Sequence, residues 1–589
     1  MTPTTSFFLL LLSSTALVAQ TPPTGPRMVR DPAGIYINWA AYDEISDNVP
    51  LTEELAMKQF DELLRLRRLG VRFDYYINDA FWYARDGGYR LFRKPNWPKG
   101  PDAWLERCRK EGVKPGLWLG VNTLWAQLDP VPEWESSLGP KRMAACLFEG
   151  GYLKHYMETM QHWYDRGIRI FKFDFADFQA APEAVQRKYT KEEIRSKNEA
   201  AFRDALFRFR EKNPDVMLIA YNGFGGDQGG TALPFRKSVD LRWLDVFDSM
   251  YCGDPRLADL PAMSFWRSKD VYTNHMALRY GRDNVPLERI DSSSFMIGTT
   301  GTCYNRRASA WKGMLLLTLA RGGLVNTFYG NLELLSDKDA AWFAKVQAMY
   351  FRIHALGRFR AFGGVPGEGE PHGFAAIDAG GSLYTVVNPS QLVLTVPLPR
   401  FSSHQPNLAG GRVLFRDAGF RPLLSGDKIT LGPEQLALVG YGSYAQPAHD
   451  LGIQEDVVIP TSIERLPAMF VSEGKDAIVA TVPAPAAGDL RIVMRQFGPD
   501  GAPLRSRGGA PPKGQSMSKI FVLWARQGEK NCPIRIEYDK AIWSGLSWAA
   551  GEVRREDFTP GQPVTVRCSS TEKRDFTLKA ELYAVTYER

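Results

Sequence analysis

The chain is poor in the residues that build disulfide frameworks and zinc sites. Its 589 residues include 6 cysteines and 7 histidines, and neither a Cys-x-x-Cys nor a His-Glu-x-x-His pattern occurs. This excludes a disulfide scaffold and the common zinc-hydrolase motif. Two interpretations remain for Cys532 and Cys568: they pair if the compartment is oxidising, or they stay as buried thiols.

Charge is not concentrated in any part of the chain. There are 73 Lys and Arg against 66 Asp and Glu, a net charge of +7, and no basic tract is interleaved with aromatics. We therefore expect no nucleic-acid partner. No apolar run reaches the roughly 18 residues of a membrane span, so none is expected. With 44% hydrophobic and 24% charged residues, the composition is that of a folded globular protein.

The N-terminus has the pattern of a secretory signal. Phe7 to Leu12 is a continuous apolar run, and small residues follow it up to Ala19-Gln20. This pattern is typical of a signal peptide and its processing site. We expect residues 1–20 to be removed and the mature protein to be secreted or periplasmic.

Short apolar segments alternate with amphipathic ones between residues 34 and 360. The predicted strands are 35–39, 73–79, 114–121, 168–175, 216–222, 246–252, 294–299 and 324–329. The predicted helices are 52–70, 102–110, 152–166, 191–212, 261–280, 309–320 and 337–355. This α/β pattern predicts a (β/α)8 TIM barrel. A doubly wound sheet would use similar segments, but no Gly-x-Gly-x-x-Gly follows the first strand.

The pattern changes after residue 360, where Gly and Pro become more frequent and short alternating strands follow. We predict a barrel domain over 21–360, a C-terminal antiparallel β-sandwich over 361–447 and a further β-rich accessory domain over 448–589. The accessory domain is interpreted as a structural cap or as a sugar-binding module.

The fourth predicted strand carries charge on one face only. Lys172 and Asp174 share one face, and Phe171, Phe173 and Phe175 share the other. Reactive groups in such barrels lie at the carboxyl ends of the strands. Because burying charges is costly unless they are paired or used, Lys172 and Asp174 either fill the core as an ion pair or take part in chemistry.

The second predicted strand ends in Asn78-Asp79, with Trp82 close behind. A carboxylate beside an indole suits a sugar, because the acid bonds hydroxyls while the ring covers the apolar face. The alternative is that Asp79 caps the following loop.

The sixth predicted strand leads to Asp254, with Asp259 as a competitor for the same role. Strands four and six of a barrel contribute to one layer, so Asp174 and Asp254 can lie about 5 Å apart, as in retaining glycosidases. An Asp-Pro turn is the alternative for Asp254. Further candidate substrate contacts end or follow predicted strands: Trp39, Asn222 and Arg267.

Together these segments resemble the α-galactosidase superfamily, glycoside hydrolase clan D, which covers families 27 and 36. The similar segments are 37–42, 69–79 with Trp82, 112–118, 171–174 and 252–254. Two segments differ. Asn78-Asp79 stands where the family has Asp-Asp, and 221–226 replaces its Gly-rich element ending in Arg.

The resemblance implies a role for each matching residue. Asp174 would be the nucleophile and Asp254 the acid/base, while Asp79 would bind sugar hydroxyls and Lys172 would hold the sugar beside the nucleophile. This chemistry needs no cofactor and no metal.

We therefore expect an exported retaining α-glycosidase whose substrate is an α-linked oligosaccharide or glycoconjugate, with α-galactosides as the expected class. The alternatives are an α-N-acetylgalactosaminidase or transglycosylase on the same scaffold, and a catalytically silent carbohydrate-binding protein that has kept the barrel.

Overall fold

The computed structural model describes most of the chain. The described residues are 31–38, 51–80, 82–124, 129–224, 239–253, 260–261, 263, 271–282, 284–291, 295–298, 310–356, 358–402, 405, 408–505, 520–536 and 547–588. The predicted signal peptide, residues 1–20, lies outside them.

Within these residues, nine parallel strands form the first sheet. They are β1 Ala33–Asn38, β2 Tyr75–Asn78, β3 Lys114–Gly120, β4 Ile170–Asp174, β5 Met217–Ala220, β6 Ser249–Tyr251, β7 Ile290–Asp291, β8 Phe295–Ile297 and β9 Val325–Gly330. Their order in the sheet is β7-β6-β5-β4-β3-β2-β1-β9-β8. Thr327 on β9 donates to Asp291 on β7 at 2.8 Å, which brings the two sides of the sheet together. The predicted (β/α)8 fold class is confirmed.

Helices lie between most of these strands. They are α1 Glu53–Arg68, α2 Asp102–Glu111, α3 Tyr152–Asp165, α4 Glu183–Gln186, α5 Lys191–Lys212, α6 Val271–Arg282, α7 Trp311–Ala320 and α8 Asp337–His354. Thr52 begins α1, and its hydroxyl accepts the Leu55 N–H at 3.1 Å. Thr190 and Glu193 form a reciprocal capping box at the start of α5.

Of the helix predicted over 261–280, the described helical part is α6, Val271–Arg282. Neither Pro261 nor Met263 is helical. The backbone N–H of Met263 donates to the Glu434 carboxylate instead of to a helix carbonyl, and this tertiary contact is absent from any local pattern.

A second group of strands, which we call the middle module, follows the barrel. It contains β10 Phe359–Gly363, β11 His372–Ile377, β12 Gly381–Asn388, β13 Leu394–Pro397, β14 Arg412–Gly419, β15 Leu423–Ser425, β16 Lys428–Leu431, β17 Gln435–Gly442 and β18 Gly452–Ile459. These strands form a six-stranded and a three-stranded sheet. The predicted domain boundary at 447 falls just before β18, which pairs with β14 of this module.

The last strands form two antiparallel sheets, which we call the C-terminal module. They are β19 Ser462–Leu466, β20 Val471–Ser472, β21 Ala477–Pro483, β22 Asp489–Phe497, β23 Phe521–Gln527, β24 Lys530–Asn531, β25 Trp548–Val553, β26 Pro563–Ser570 and β27 Thr577–Thr586. Cys532 and Cys568 in this module are both buried free thiols. Burial raises the pKa of Cys568 to about 12.

The apolar cores connect these units. One core runs from the barrel helices into the middle module, where Phe343 of α8 and Phe415 of β14 both belong to it. The C-terminal module has its own core, and this core also contains Met263 from the barrel. No helix in the described part of the chain is both long and apolar enough to cross a membrane.

Candidate active site

The strands of the barrel alternate between an inner and an outer face. The inner cluster contains Ile77, Ile170, Ile219, Tyr221 and Tyr329, which surround the barrel axis. Phe171 and Phe173 pack in the outer core with the helices. Period two therefore places Lys172 and Asp174 on the inner face of β4, as the sequence predicts.

Lys172 and Asp79 form an ion pair inside the barrel. The Lys172 Nζ lies 2.7 Å from Asp79 Oδ2, and the two side chains are 1% and 0% exposed. Asp79 Oδ1 also accepts the Ala80 N–H at 2.7 Å. The ammonium lies 4.1 Å from the ring centroid of Tyr221 and 5.3 Å from that of Tyr329. Two aromatic faces thus add attraction to a desolvated cation.

Asp174 lies at the carboxyl end of β4 and is 5% exposed. Its Oδ1 accepts from the Phe175 N–H at 3.0 Å and from the Asn222 backbone and side-chain N–H groups at 3.1 and 3.0 Å. Its Oδ2 accepts from Trp118 Nε1 at 3.1 Å. Four N–H donors stabilise the ionised carboxylate and fix its orientation.

Two unusual backbone conformations support this arrangement. Phe175, directly after Asp174, has a φ of 54°, a left-handed conformation that is costly for a bulky residue. Gly223, directly after Asn222, has a φ of 112°, and a Cβ there would lie 2.6 Å from the Ala176 backbone. The backbone is therefore strained at Phe175 and closely packed against Ala176 at Gly223, in the two loops that supply N–H donors to Asp174.

A second hydrogen-bond network lies beside Lys172. The Tyr221 hydroxyl donates to Asp291 Oδ2 at 3.0 Å and lies 2.6 Å from the Tyr329 hydroxyl. Since Tyr221 has one proton to donate, Tyr329 donates to Tyr221. Burial first, and then the Asp291 charge, raise the pKa of Tyr221 well above its ordinary value. Tyr221 therefore remains a neutral donor and holds its ring against Lys172.

The predicted site residues fall into three groups. Asp174, Lys172, Asp79 and Asn222 come together, as described above. Trp82 and Asn78 do not join them. Catalytic candidates Asp254 and Asp259, and the predicted contacts Trp39 and Arg267, lie outside the described residues.

Trp82 and Asn78 are both fully buried away from the inner face. Trp82 donates its Nε1–H to the Trp118 carbonyl at 2.9 Å and packs 4.4 Å from Phe92, between ring centroids. Alternation along β2 places Asn78 on the face of Tyr76, opposite Ile77. Neither side chain is positioned to contact a sugar beside Asp174.

Trp118, Tyr221, Tyr329 and Asp291 belong to the site but were not predicted as site residues. Trp118 and Tyr221 could have been found from the same period-two pattern as Lys172. Trp118 lies at an inner-face position of β3, and Tyr221 is the next inner-face position after Ile219 at the end of β5. Asp291 ends a strand of two residues, which is too short to show any period.

The arrangement presents one oriented carboxylate at a strand end, backed by a buried ion pair. Such a carboxylate can act as a nucleophile toward a polarised carbon. Within the described ranges, no group of three or more His, Cys, Asp or Glu side chains is placed to hold a metal ion.

Comparison with known proteins gives structural neighbours only. No protein-family model matches the sequence. No curated protein matches it either.

Among solved structures, the chain resembles a family 36 α-galactosidase from Geobacillus stearothermophilus in complex with raffinose. The identity is 13%, the match covers 71% of this chain and 57% of that one, and the TM-score is 0.48. An α-galactosidase from Lactobacillus brevis matches with 12% identity, 70% and 55% coverage and a TM-score of 0.49. The chain thus spans little more than half the length of these two proteins.

A family 27 β-L-arabinopyranosidase from Geobacillus stearothermophilus is a further neighbour. It matches with 13% identity, 70% coverage of this chain, 96% coverage of that one and a TM-score of 0.42. The two Geobacillus stearothermophilus neighbours are described as members of families 36 and 27.

Proposed function

We propose that the protein is a retaining α-glycosidase that acts on α-galactosides, with Asp174 as its nucleophile. The observation that carries this proposal is the Asp174 carboxylate, which accepts four N–H donors at the carboxyl end of a barrel strand. A nucleophilic carboxylate must be ionised and held toward the anomeric carbon. A silent sugar-binding protein has no use for a carboxylate prepared in this way.

The acid/base is proposed to be Asp254, with Asp259 as the alternative. Asp254 follows β6, whose Tyr251 stacks on Tyr221 with ring centroids 4.1 Å apart. Tyr221 directly precedes Asn222, which donates to Asp174. The end of β6 therefore lies on the same side of the barrel as Asp174, which supports this pairing of acids.

The reaction proceeds in two displacements. An oxygen of Asp174 attacks the anomeric carbon, the bond to the leaving oxygen breaks, and Asp254 gives its proton to that oxygen. Water then attacks the anomeric carbon, Asp254 takes the water's proton, and the bond to Asp174 breaks. The sugar leaves with its original anomeric configuration, and both acids return to their starting states.

Lys172 and Asp79 are proposed to face the sugar from below, where the ammonium and the carboxylate can bond hydroxyl groups. The Lys172 Nζ and Asp79 Oδ2 atoms lie 2.7 Å apart, so each group is the polar partner of the other. Trp39 and Arg267 remain proposed contacts. The first 20 residues lead us to propose that the enzyme is exported.

The decisive variant is Asp174→Asn, assayed with a chromogenic α-galactoside. We expect kcat/KM to fall by at least about a thousandfold, because an amide cannot form the glycosyl ester. The amide NH2 would then face Trp118 Nε1, so a loss of about 1–3 kcal/mol in the free energy of unfolding is also expected.

Asp177→Asn is the matched control, since it removes the same charge from the adjoining loop, where the Asp177 carboxylate accepts the Gln179 N–H at 3.0 Å. It should keep activity within about threefold of the native protein. Native-like turnover by Asp174→Asn would remove Asp174 from the role of nucleophile.

Two further measurements separate the alternatives. Proton NMR of the first-formed sugar should show the α-anomer, whereas a β-anomer would contradict retention. A substrate panel of α-galactosides, N-acetyl-α-galactosaminides and sugar acceptors distinguishes hydrolysis of each class from transglycosylation. No turnover with any of them, together with measurable sugar binding, would favour the silent binding protein.

A further inference from the structure

Two residues between β6 and α6, Leu260 and Met263, contact residues that follow the barrel in the sequence. Met263, in this connection, donates its backbone N–H to both carboxylate oxygens of Glu434 at 2.9 Å. Its side chain is 3% exposed and packs in the apolar core of the C-terminal module. Leu260 lies against the middle module, since a Cβ on Gly369 would be 3.3 Å from its Cδ2. One barrel connection therefore contacts both later modules.

Glu434 is an unusual residue for such a contact. It lies in the turn between β16 and β17, is 1% exposed and has a φ of 54°. Its own N–H donates to the Ser390 carbonyl at 2.8 Å, which fixes the turn. Left-handed backbone and a buried carboxylate both cost free energy, so the surrounding contacts must stabilise them.

The counter-charge comes from the C-terminal module. Arg491 on β22 is buried, and its Nη1 lies 3.6 Å from Glu434 Oε1. Its Nε donates to Glu552 Oε1 at 2.8 Å, and Glu552 also accepts from Tyr587 and Arg535. Glu434 thus lies between the backbone N–H of Met263 and the guanidinium of Arg491, which Glu552 of the C-terminal module holds in place.

We propose that Glu434 and Arg491 are positioning residues for the acid/base step, because they hold the connection after β6 that carries Asp254. This inference rests on the proposed glycosidase function. It gives the β-rich modules a defined role, because their buried residues hold Met263 of this connection from outside the barrel.

The test uses two α-galactosides whose leaving groups differ in how much they need a proton. An alkyl galactoside departs only with protonation, whereas a dinitrophenyl galactoside departs without it. Glu434→Gln keeps an acceptor for Met263 but turns an NH2 group toward Arg491. We expect kcat/KM for the alkyl substrate to fall about tenfold more than that for the dinitrophenyl substrate.

Met263→Ala is a second variant in case Glu434→Gln folds poorly. It keeps the N–H bond to Glu434 and removes only the side chain from the C-terminal core, so a smaller change in the same direction is expected. Asp489→Asn is the matched control. Asp489 is a buried carboxylate that accepts the Arg555 N–H at 2.8 Å within the C-terminal module. It should leave the ratio of the two substrates unchanged.

If kcat/KM falls equally for both substrates in Glu434→Gln and in Met263→Ala, these residues have a structural role only, and the proposal is overturned. Hydrogen exchange of peptides covering 254–270 provides a readout besides activity. It should be faster in Glu434→Gln than in the native protein, and an unchanged rate would also overturn the proposal. If the native protein cleaves neither galactoside, the proposed function fails, while faster exchange would still establish the anchoring by Glu434.

Discussion

The two ends of the barrel each contain a buried ion pair, and the pairs differ in what surrounds them. At the carboxyl end, Lys172 and Asp79 lie 2.7 Å apart. At the amino end, Arg210 on α5 and Asp248, just before β6, also lie 2.7 Å apart and are 2% and 1% exposed. The distance and burial alone therefore do not distinguish a functional pair from a structural one.

The neighbours of each pair make the distinction. Arg210 binds Asp248 through both terminal nitrogens and also donates to the Val246 carbonyl, while Asp248 accepts the Leu218 N–H. This pair ties a helix to two strands through directional bonds. Lys172 instead lies over two tyrosine rings, on the strand that ends in Asp174. The amino-end pair maintains the geometry of the barrel, whereas the carboxyl end is where such barrels place their reactive groups.

The largest effect is expected at the carboxyl end. Lys172→Met leaves the Asp79 charge buried without its ammonium, so the free energy of unfolding should fall by about 3–5 kcal/mol. Activity on α-galactosides should fall by at least about a hundredfold, because a charged contact near the nucleophile is lost. Urea unfolding and steady-state kinetics measure the two changes.

The double variant Lys172→Met with Asp79→Leu sharpens this prediction. Replacing both charges with apolar groups should recover most of the stability but none of the activity. Recovery of activity together with stability would show that the Lys172–Asp79 pair only fills the core of the barrel and takes no part in the reaction.

The second effect is expected at the amino end. Arg210→Met removes the bidentate partner of a buried carboxylate, and the free energy of unfolding should again fall by about 3–5 kcal/mol. At temperatures where the variant is folded, kcat/KM should match that of the native protein. A large fall in kcat/KM of fully folded Arg210→Met would show that the Arg210–Asp248 pair also contributes to activity, contrary to its proposed structural role.

The smallest effect concerns acid pH. Burial lowers the pKa of His354 to about 4, and burial with nearby His275 and Arg321 does the same for His372. Unfolded histidines have a pKa near 6.5 and bind protons first as pH falls, so stability decreases between pH 6.5 and 4. The expected cost is about 2 kcal/mol for each histidine at pH 5.

His354 is the cleaner test, because burial is the cause that lowers its pKa and its ring nitrogens bond the Leu319 carbonyl and the Asn326 side chain near the start of β9. His354→Gln should reduce the difference in stability between pH 7 and pH 5 by about 2 kcal/mol, as measured by urea unfolding at both values. An unchanged difference would show that other groups cause the acid sensitivity.

Much of the barrel could be predicted from the sequence because the signals are local. The helix predicted over 191–212 is α5 with the same bounds, since Thr190 caps it and acids fill its first turn. The two faces of β4 were also predicted correctly, because alternation within five residues separates phenyl rings from charges. The start of α6 was predicted wrongly: Pro261 and Met263 are not helical, and the Met263 N–H bonds the carboxylate of Glu434, which is distant in sequence.

The candidate site was predictable only in part. A Trp near an acid suggested sugar stacking, but the Trp82 ring packs on Phe92 in the outer layer, while Trp118 reaches Asp174. The inward direction of Trp118 follows from alternation along β3, whereas the direction of Trp82 depends on the path of the loop after β2, which no short pattern encodes.

By itself the sequence determined the order of the longer barrel strands and helices, and which side chains share a face of β4, but not the two-residue β7 or the four-residue α4. These follow from hydrophobic periodicity and capping, which act over a few residues. The tertiary structure alone decided the partners: Lys172 pairs with Asp79, 93 residues away, and Asn222 reaches Asp174 across 48 residues. Such contacts form only when the parallel strands assemble into one sheet, because the sheet brings the carboxyl ends of strands that are distant in sequence to the same edge.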